Sequence, residues 1–81
     1  MLIRNVLIED KVKEKIIEKH GVYATEIKNI LFNNPLVLKT RFNRIMAIGH
    51  FQRHLTIIFG YSKGTADIIT AYPSSEAQIK L

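Results

Sequence analysis

The 81-residue sequence contains no cysteine, so it can form neither a disulfide framework nor a thiolate metal site. It also has no long apolar run. The apolar stretch 1–8 is interrupted and ended by charged residues, is too short to span a membrane, and lacks a signal-peptide cleavage motif. Because a small secreted protein would usually need disulfides, these absences favour a single intracellular, cytoplasmic domain over residues 1–81, without a membrane partner.

Several catalytic motifs are missing as well. The sequence has no serine- or cysteine-nucleophile constellation, no phosphate-binding glycine loop and no paired-carboxylate motif. Any chemistry would therefore come from cations and imidazoles that act on phosphate, because guanidinium groups bind phosphate oxygens in pairs. No cofactor and no metal ion are expected.

Acidic residues are absent between Leu36 and Gly64, a segment that holds five basic residues and two histidines. Residues 1–35 are nearly balanced, with six Lys or Arg against five Asp or Glu, whereas residues 36–81 have six against two. Charges of one sign repel one another, so this segment favours a polyanionic partner, either a nucleic acid or an acidic protein. The alternative is a basic surface that serves only solubility.

The hydrophobic pattern predicts two helices near the N-terminus. Apolar residues at helical spacing predict the first helix over residues 10–20, with Gly21 at the stop position. A second helix is predicted over residues 26–32, with Thr25 as its cap, and Pro35 marks the region beyond its end.

Beyond Pro35 the pattern changes to short β-like runs separated by turn residues. Strands are predicted over 36–39, 44–50, 54–61 and 66–72, followed by a short helix capped by Ser74 or Ser75. The stretch 1–8 is either a short strand or an extended lead-in. The prediction is thus an α+β fold with two N-terminal helices, a twisted antiparallel sheet of about four strands, and a short C-terminal helix.

Strand alternation predicts the character of the two sheet faces. The strand over 54–61 has a wholly apolar face, which belongs to the core. The opposite face is mixed, because it combines Arg44 and His50 of one strand with His54 and Thr56 of the next. We expect this mixed face to be partly open and able to hold a ligand.

His50 and His54 flank a three-residue turn, so a hairpin would bring their imidazoles together. Two adjacent imidazoles could act as base and acid in RNA cleavage, one activating the 2′-hydroxyl and the other protonating the leaving oxygen. They could also bind a metal ion, although no third ligand has a suitable spacing. The remaining interpretation is a pair of exposed histidines at strand ends, without a function.

Several motifs occur in a distinctive order: EKHGV at 18–22, EIKNILFNNPLV at 26–37, R-x-x-x-x-G at 44–49, RHLTIIFGY at 53–61 and IITAY-x-x-x-E at 68–76. Together they resemble the BrnT-type toxins of type II toxin–antitoxin systems, which have a RelE-like fold. The resemblance implies a metal-independent endoribonuclease that binds RNA and is inhibited by a cognate antitoxin protein. It leaves a dimer and a toxin–antitoxin hetero-oligomer open as assembly states.

Charge, the histidine pair and the resemblance together give the candidate site. Arg44 matches the arginine of the R-x-x-x-x-G motif and is the first catalytic candidate, with His54 and Tyr72 as the others. The candidate RNA-binding residues are further basic and histidine side chains: His20, Lys39, Arg41, His50, Arg53 and Lys63.

The sequence departs from the family pattern at Tyr72. The related toxins usually end their last strand with Ser/Thr-Ala-Arg, whereas this sequence has Thr70-Ala71-Tyr72. A tyrosine could stack on a base or donate one hydrogen bond, but it cannot clamp phosphate as a cation does. A second function therefore stays open, that of a non-catalytic module that binds RNA or an antitoxin-like protein. A DNA-binding domain is the weakest alternative, because no helix has a basic face free of core contacts.

Overall fold

Five strands form one mixed sheet, with helices on both of its faces. The structure is a computed structural model that describes residues 1–81. Its elements in chain order are β1 (Asn5–Leu7), α1 (Asp10–His20), α2 (Ala24–Leu31), β2 (Leu36–Lys39), β3 (Arg44–Phe51), β4 (Arg53–Ser62), β5 (Thr65–Pro73) and α3 (Glu76–Ile79). The strand order across the sheet is β1-β5-β4-β3-β2. None of the helices has the length and apolar character needed to cross a membrane.

The prediction of an α+β fold is confirmed, but the prediction of about four antiparallel strands is wrong. β1 is a fifth strand, and its residues 5–7 pair in parallel with residues 65–67 of β5. The backbone N–H groups of Arg4 and Asn5 both donate to the carbonyl of Gly64, at 2.7 and 3.1 Å. A parallel partner always comes from a distant part of the chain, so the local pattern of residues 1–8 gave no sign of this pairing.

The two N-terminal helices form as predicted, but α2 begins two residues earlier. α1 ends at Gly21, which has a φ of 63° and whose N–H donates to the carbonyl of Ile17 at 2.9 Å. At the start of α2, the carboxylate of Glu26 accepts a hydrogen bond from the backbone N–H of Tyr23 at 3.1 Å. Tyr23, rather than the predicted Thr25, is therefore the N-cap residue.

The core lies between the two longer helices and one face of the sheet. α1 packs against β5 and α2 packs against β3. On β4, Leu55, Ile57 and Phe59 are fully buried in the same cluster as the apolar residues of the helices. This burial confirms the apolar face predicted for the strand, and it is the main source of folding free energy in a domain of this size.

A β-bulge in β5 reverses the faces of its last residues. One extra residue, Ile69, is inserted where the partner strand β4 passes from Ile58 to Phe59. Strict alternation along β5 would have put Tyr72 on the core face. Because of the inserted residue, Tyr72 instead pairs with Thr56 on the opposite face of the sheet.

The opposite face, which was predicted to be partly open, is covered at its centre by the C-terminal segment. Thr56 is fully buried there. Its Oγ1 lies 2.8 Å from Oγ of Ser74 and donates to Oε1 of Gln78 at 3.0 Å. Oγ of Ser75 caps α3 by accepting the N–H of Gln78 at 3.2 Å. The C-terminal segment therefore limits the access of a ligand to Thr56, whereas Arg44 and His50 nearer the two ends of the face are exposed.

Gly49 in β3 lies directly beneath α2. A Cβ atom at this position would lie 2.5 Å from Cγ2 of Ile30, whose branched side chain has little freedom to turn away. We expect Gly49→Ala to push α2 away from the sheet and to lower the free energy of unfolding by about 1–3 kcal/mol. Denaturant unfolding followed by circular dichroism measures this loss.

Gly60→Ala in β4 is the matched control, because no atom lies within 4 Å of a Cβ atom at that position. Alanine has less conformational freedom than glycine in the unfolded chain, so this variant should be as stable as the wild type or slightly more stable. Equal losses of stability in the two variants would contradict the packing explanation.

Candidate nucleic-acid interface

Two hairpin turns meet at one end of the sheet, where β3 begins and β4 ends. Residues 40–43 join β2 to β3, and residues 63–64 join β4 to β5. β1 also begins at this end, through its hydrogen bonds to Gly64. Five exposed cations lie in these segments or directly next to them, and we call them the basic rim: Arg4, Lys39, Arg41, Arg44 and Lys63.

No cation of the basic rim forms a salt bridge. The one salt bridge in the protein joins Arg53 to Glu26, and neither residue belongs to the rim. Asp67 lies on β5 beside Gly60, yet it forms no ion pair with a rim cation. Neighbouring cations without partners repel one another, and an anion with several charges would relieve that repulsion. The charge arrangement therefore suits a chain of phosphates.

A depression of about 160 Å³ lies between the ends of β2 and β3. Lys39 and Arg44 line it, together with Thr40, Asn43 and Ile45. The backbone N–H and the hydroxyl of Thr40 both donate to the carbonyl of Arg44, at 2.8 and 3.1 Å. These two bonds fix the first residue of β3, so the guanidinium of Arg44 extends from a held backbone.

The opposite end of the β3–β4 hairpin carries the two predicted histidines. His50 and His54 form a cross-strand pair whose ring centroids are 4.7 Å apart, with the ring planes at 62°. Both side chains are exposed. The prediction that the turn brings these imidazoles together is confirmed. Across the whole chain, no group of three or more His, Cys, Asp or Glu side chains is arranged to hold a metal ion.

Tyr72 and His20 form a second ring pair, between β5 and the end of α1. Their ring centroids are 5.9 Å apart, and the hydroxyl of Tyr72 accepts a hydrogen bond from Nε2 of Gln78 at 3.2 Å. His20 also lines a groove of about 240 Å³ between α1 and β5, together with Lys15 and Lys19. Tyr72 thus contacts protein groups from two different helices.

The three predicted catalytic side chains do not converge on one point. Arg44 and His50 are six residues apart on β3, which is about 20 Å along an extended strand, and His54 lies beside His50. Tyr72 of β5 lies opposite Thr56 of β4, which lies opposite Ile48 of β3. Ile48 is four residues from Arg44, which is about 13 Å along the strand. Arg44 is therefore well separated from the other two candidates, and the three side chains do not form one preformed cluster.

Arg53, a predicted RNA contact, is held by protein groups. Its Nε and Nη2 atoms donate to the two carboxylate oxygens of Glu26, at 3.1 and 3.0 Å, and Nη2 also donates to the carbonyl of Gly21 at 2.7 Å. The hydrogen bond from Arg53 lowers the pKa of Glu26, although desolvation opposes it, and the same bond raises the pKa of Arg53. These contacts tie the start of β4 to the α1–α2 connection, and contact with RNA stays a prediction.

Two residues beside the candidate site residues were not predicted from the sequence, Arg4 in the basic rim and Gln78 next to Tyr72. Arg4 joins the basic rim only through the parallel pairing of β1, for which the sequence carries no local signal. Gln78 reaches across the sheet face to Tyr72 and Thr56. The sequence does carry a signal for the position of Gln78, because Ser75 and Gln78 have the spacing of a helix capping box.

Comparison with known proteins identifies the fold. No protein-family model matches the sequence, and no curated protein matches it. Among solved structures, the crystal structure of the Brucella abortus ribonuclease toxin BrnT is similar to this chain, with a TM-score of 0.74 and 22% sequence identity. The match covers 89% of this chain and 97% of the toxin. The chain has the BrnT fold. The resemblance predicted from the sequence motifs is thereby confirmed for the fold.

The Arg53–Glu26 pair predicts a dependence of stability on pH. Because the pKa of Glu26 is lowered in the folded protein, its stabilising effect is complete above the pKa of the unfolded chain and is lost as pH falls through the folded value. The side chain of Arg53 is 40% exposed, so we expect a contribution of only about 1 kcal/mol. Glu26→Gln should therefore destabilise the protein near pH 7 and become progressively less destabilising as the pH falls from about 5 toward 3.

Urea unfolding of both proteins across this pH range measures the effect. The control is the same substitution in an Arg53→Met background, where Glu26 has lost its charged partner and keeps only the hydrogen bond from the backbone of Tyr23, so the pH dependence should largely disappear. A pH dependence of equal size in both backgrounds would show that it does not arise from this ion pair.

Proposed function

We propose that the protein is a ribonuclease toxin that cleaves RNA without a metal ion and is neutralised by a cognate antitoxin protein. The observation that carries the proposal is the match to the BrnT fold over nearly the whole length of that toxin. The basic rim supports it, because five exposed cations without carboxylate partners suit the phosphates of RNA. Such a toxin would act in the cytoplasm, where its substrate is found.

Cleavage of RNA without a metal ion would use the 2′-hydroxyl as the nucleophile. The 2′-hydroxyl loses its proton to water as its oxygen attacks the adjacent phosphorus. The bond from phosphorus to the 5′-oxygen then breaks, that oxygen takes up a proton from water, and a 2′,3′-cyclic phosphate remains. The protein must stabilise the negative charge that builds up on the phosphate oxygens. Arg44 is the proposed source of this stabilisation, because guanidinium contacts two of these oxygens at once. Arg41 and Lys39 would bind neighbouring phosphates.

A non-catalytic module that binds RNA or an antitoxin-like protein is the second candidate. Tyr72 favours it, because this residue occupies the position at which the related toxins usually have an arginine. The hydroxyl of Tyr72 is already engaged by Gln78, and its ring lies against His20. These contacts give the tyrosine a structural role that does not depend on catalysis.

Arg44→Ala tests the proposed cleavage centre. Removal of one charge-stabilising donor should lower the turnover of single-stranded RNA by about a hundredfold or more. Because Arg44 is exposed, the free energy of unfolding should change by less than about 0.5 kcal/mol. The slope of log affinity against log salt should also become shallower by about one unit, as one phosphate contact is lost. Cleavage of a fluorescent RNA and salt titrations of binding provide the measurements.

His54→Ala is the comparison variant, since it alters the other end of the hairpin. It should keep most of the turnover if cleavage occurs at the basic rim. Loss of activity in His54→Ala with normal activity in Arg44→Ala would assign cleavage to the histidine pair and contradict the role of Arg44.

Tyr72→Arg distinguishes the toxin from the non-catalytic module. If Tyr72 stands in place of a catalytic arginine, restoring the cation should raise the rate of RNA cleavage. Tyr72→Phe is the control, because it removes the hydrogen bond to Gln78 without adding a charge, and it should not raise the rate. Circular dichroism establishes that each variant is folded. An absence of cleavage by both the wild type and folded Tyr72→Arg would favour the binding module.

A further inference from the structure

Phe42 is the most exposed large apolar side chain in the protein. It is 87% exposed, whereas the next in order are at the chain termini, Leu81 at 67%, Leu2 at 63% and Met1 at 62%. Phe42 lies in the β2–β3 turn, within the basic rim, and makes no contribution to the core. Exposure of a whole ring to water is unfavourable, so this ring contributes stabilisation only when a partner covers it.

The backbone at Phe42 also disfavours a phenylalanine. Phe42 and Asn43 have φ angles of 61° and 58°, and the N–H of Arg44 donates to the carbonyl of Arg41 at 3.3 Å, as in a type I′ turn. Such a turn favours asparagine and glycine at its two central positions, and bulky side chains rarely adopt this conformation. Asn43 fits the preference, whereas Phe42 does not. Fold stability therefore does not account for the ring.

The neighbours of Phe42 select the kind of partner. Arg41 and Arg44 flank it, neither forms an ion pair, and the other exposed residues of the turn, Thr40 and Asn43, are polar. The buried centre of a protein interface or a membrane-binding surface needs a contiguous apolar patch, which this turn does not offer. An unpaired nucleic-acid base needs one ring to stack on, with cations close by for the flanking phosphates.

We propose that Phe42 is a stacking platform for an unpaired RNA base and that the basic rim binds the phosphates on either side of it. The proposal rests on the RNA binding contained in the proposed function, and it narrows the substrate to single-stranded RNA. In a duplex the bases are stacked on one another and offer no free face to a protein ring.

The test measures binding separately from cleavage. The probe is a fluorescent single-stranded 2′-O-methyl oligoribonucleotide of mixed sequence, which lacks the free 2′-hydroxyl that cleavage requires. Phe42→Gly should bind it about tenfold more weakly than the wild type, the scale for loss of one base–aromatic stack. The salt dependence should stay the same, because no phosphate contact is removed, and Tm should be equal or higher, because glycine suits the turn. A duplex of the same sequence should bind both proteins equally.

Two further substitutions identify the property of the ring that matters. Phe42→Tyr keeps an aromatic face and should retain affinity within about twofold, whereas Phe42→Leu keeps apolar bulk without that face and should lose as much as Phe42→Gly. Phe32→Ala is the matched control, because it removes a ring that is 49% exposed at the end of α2, outside the basic rim. It should leave RNA affinity unchanged.

Equal affinity of the wild type and Phe42→Gly for the single strand would overturn the proposal, and so would a Phe42→Leu variant that binds as tightly as the wild type. Phe42-dependent binding to phosphatidylserine vesicles, with no change in RNA binding, would assign the ring to a membrane and also overturn it. Failure to cleave unmodified RNA, with Phe42-dependent binding intact, would support the stacking role and contradict only the ribonuclease activity.

Discussion

Eight residue pairs join β3 to β4, and Gln52 alone connects the two strands. A shift of this register by one residue would move every side chain of one strand to the opposite face, including Phe59 from the centre of the core. The register is therefore fixed by burial. It also determines the position of the candidate residues, because it puts Arg44 at the basic rim and brings His50 and His54 together beside the turn.

The sequence predicts this hairpin because its signals are local. Alternation assigns one face of β4 to the core, and the same alternation puts Arg44 and His54 on the other face. The same alternation would misplace Tyr72 of β5, because the inserted Ile69 reverses it before that residue. Isoleucine and threonine suit either face of a strand, so the run around Ile69 contains nothing that distinguishes a bulge from a regular strand. β1 was missed as a paired strand for a different reason, since its partner lies about sixty residues away along the chain.

The contacts of α3 change the interpretation of Tyr72. This helix has four residues and no buried side chain, so hydrophobic periodicity could not predict where it docks. Its attachment to the sheet is polar and depends on Gln78, which bonds to both Thr56 and Tyr72. Because Thr56 is fully buried, the hydroxyl needs such a partner, and the network stabilises the segment that covers the sheet. A substitution at Tyr72 therefore acts on this network as well as on any bound RNA.

Arg53 and Arg44 lie at opposite ends of the same hairpin and differ in what surrounds them. Arg53 connects the sheet to the α1–α2 connection, and the fold supplies it with a carboxylate and a carbonyl. Arg44 and the other rim cations receive no carboxylate, and Phe42 beside them receives no apolar cover. Electrostatic repulsion opposes stability in the free protein and the exposed ring adds nothing to it, yet one single-stranded polyanion would relieve the repulsion and cover the ring. Fold stability explains the paired arginine but not the rim or Phe42, and the proposed single-stranded RNA partner, which brings phosphates and a flat apolar surface, would account for both.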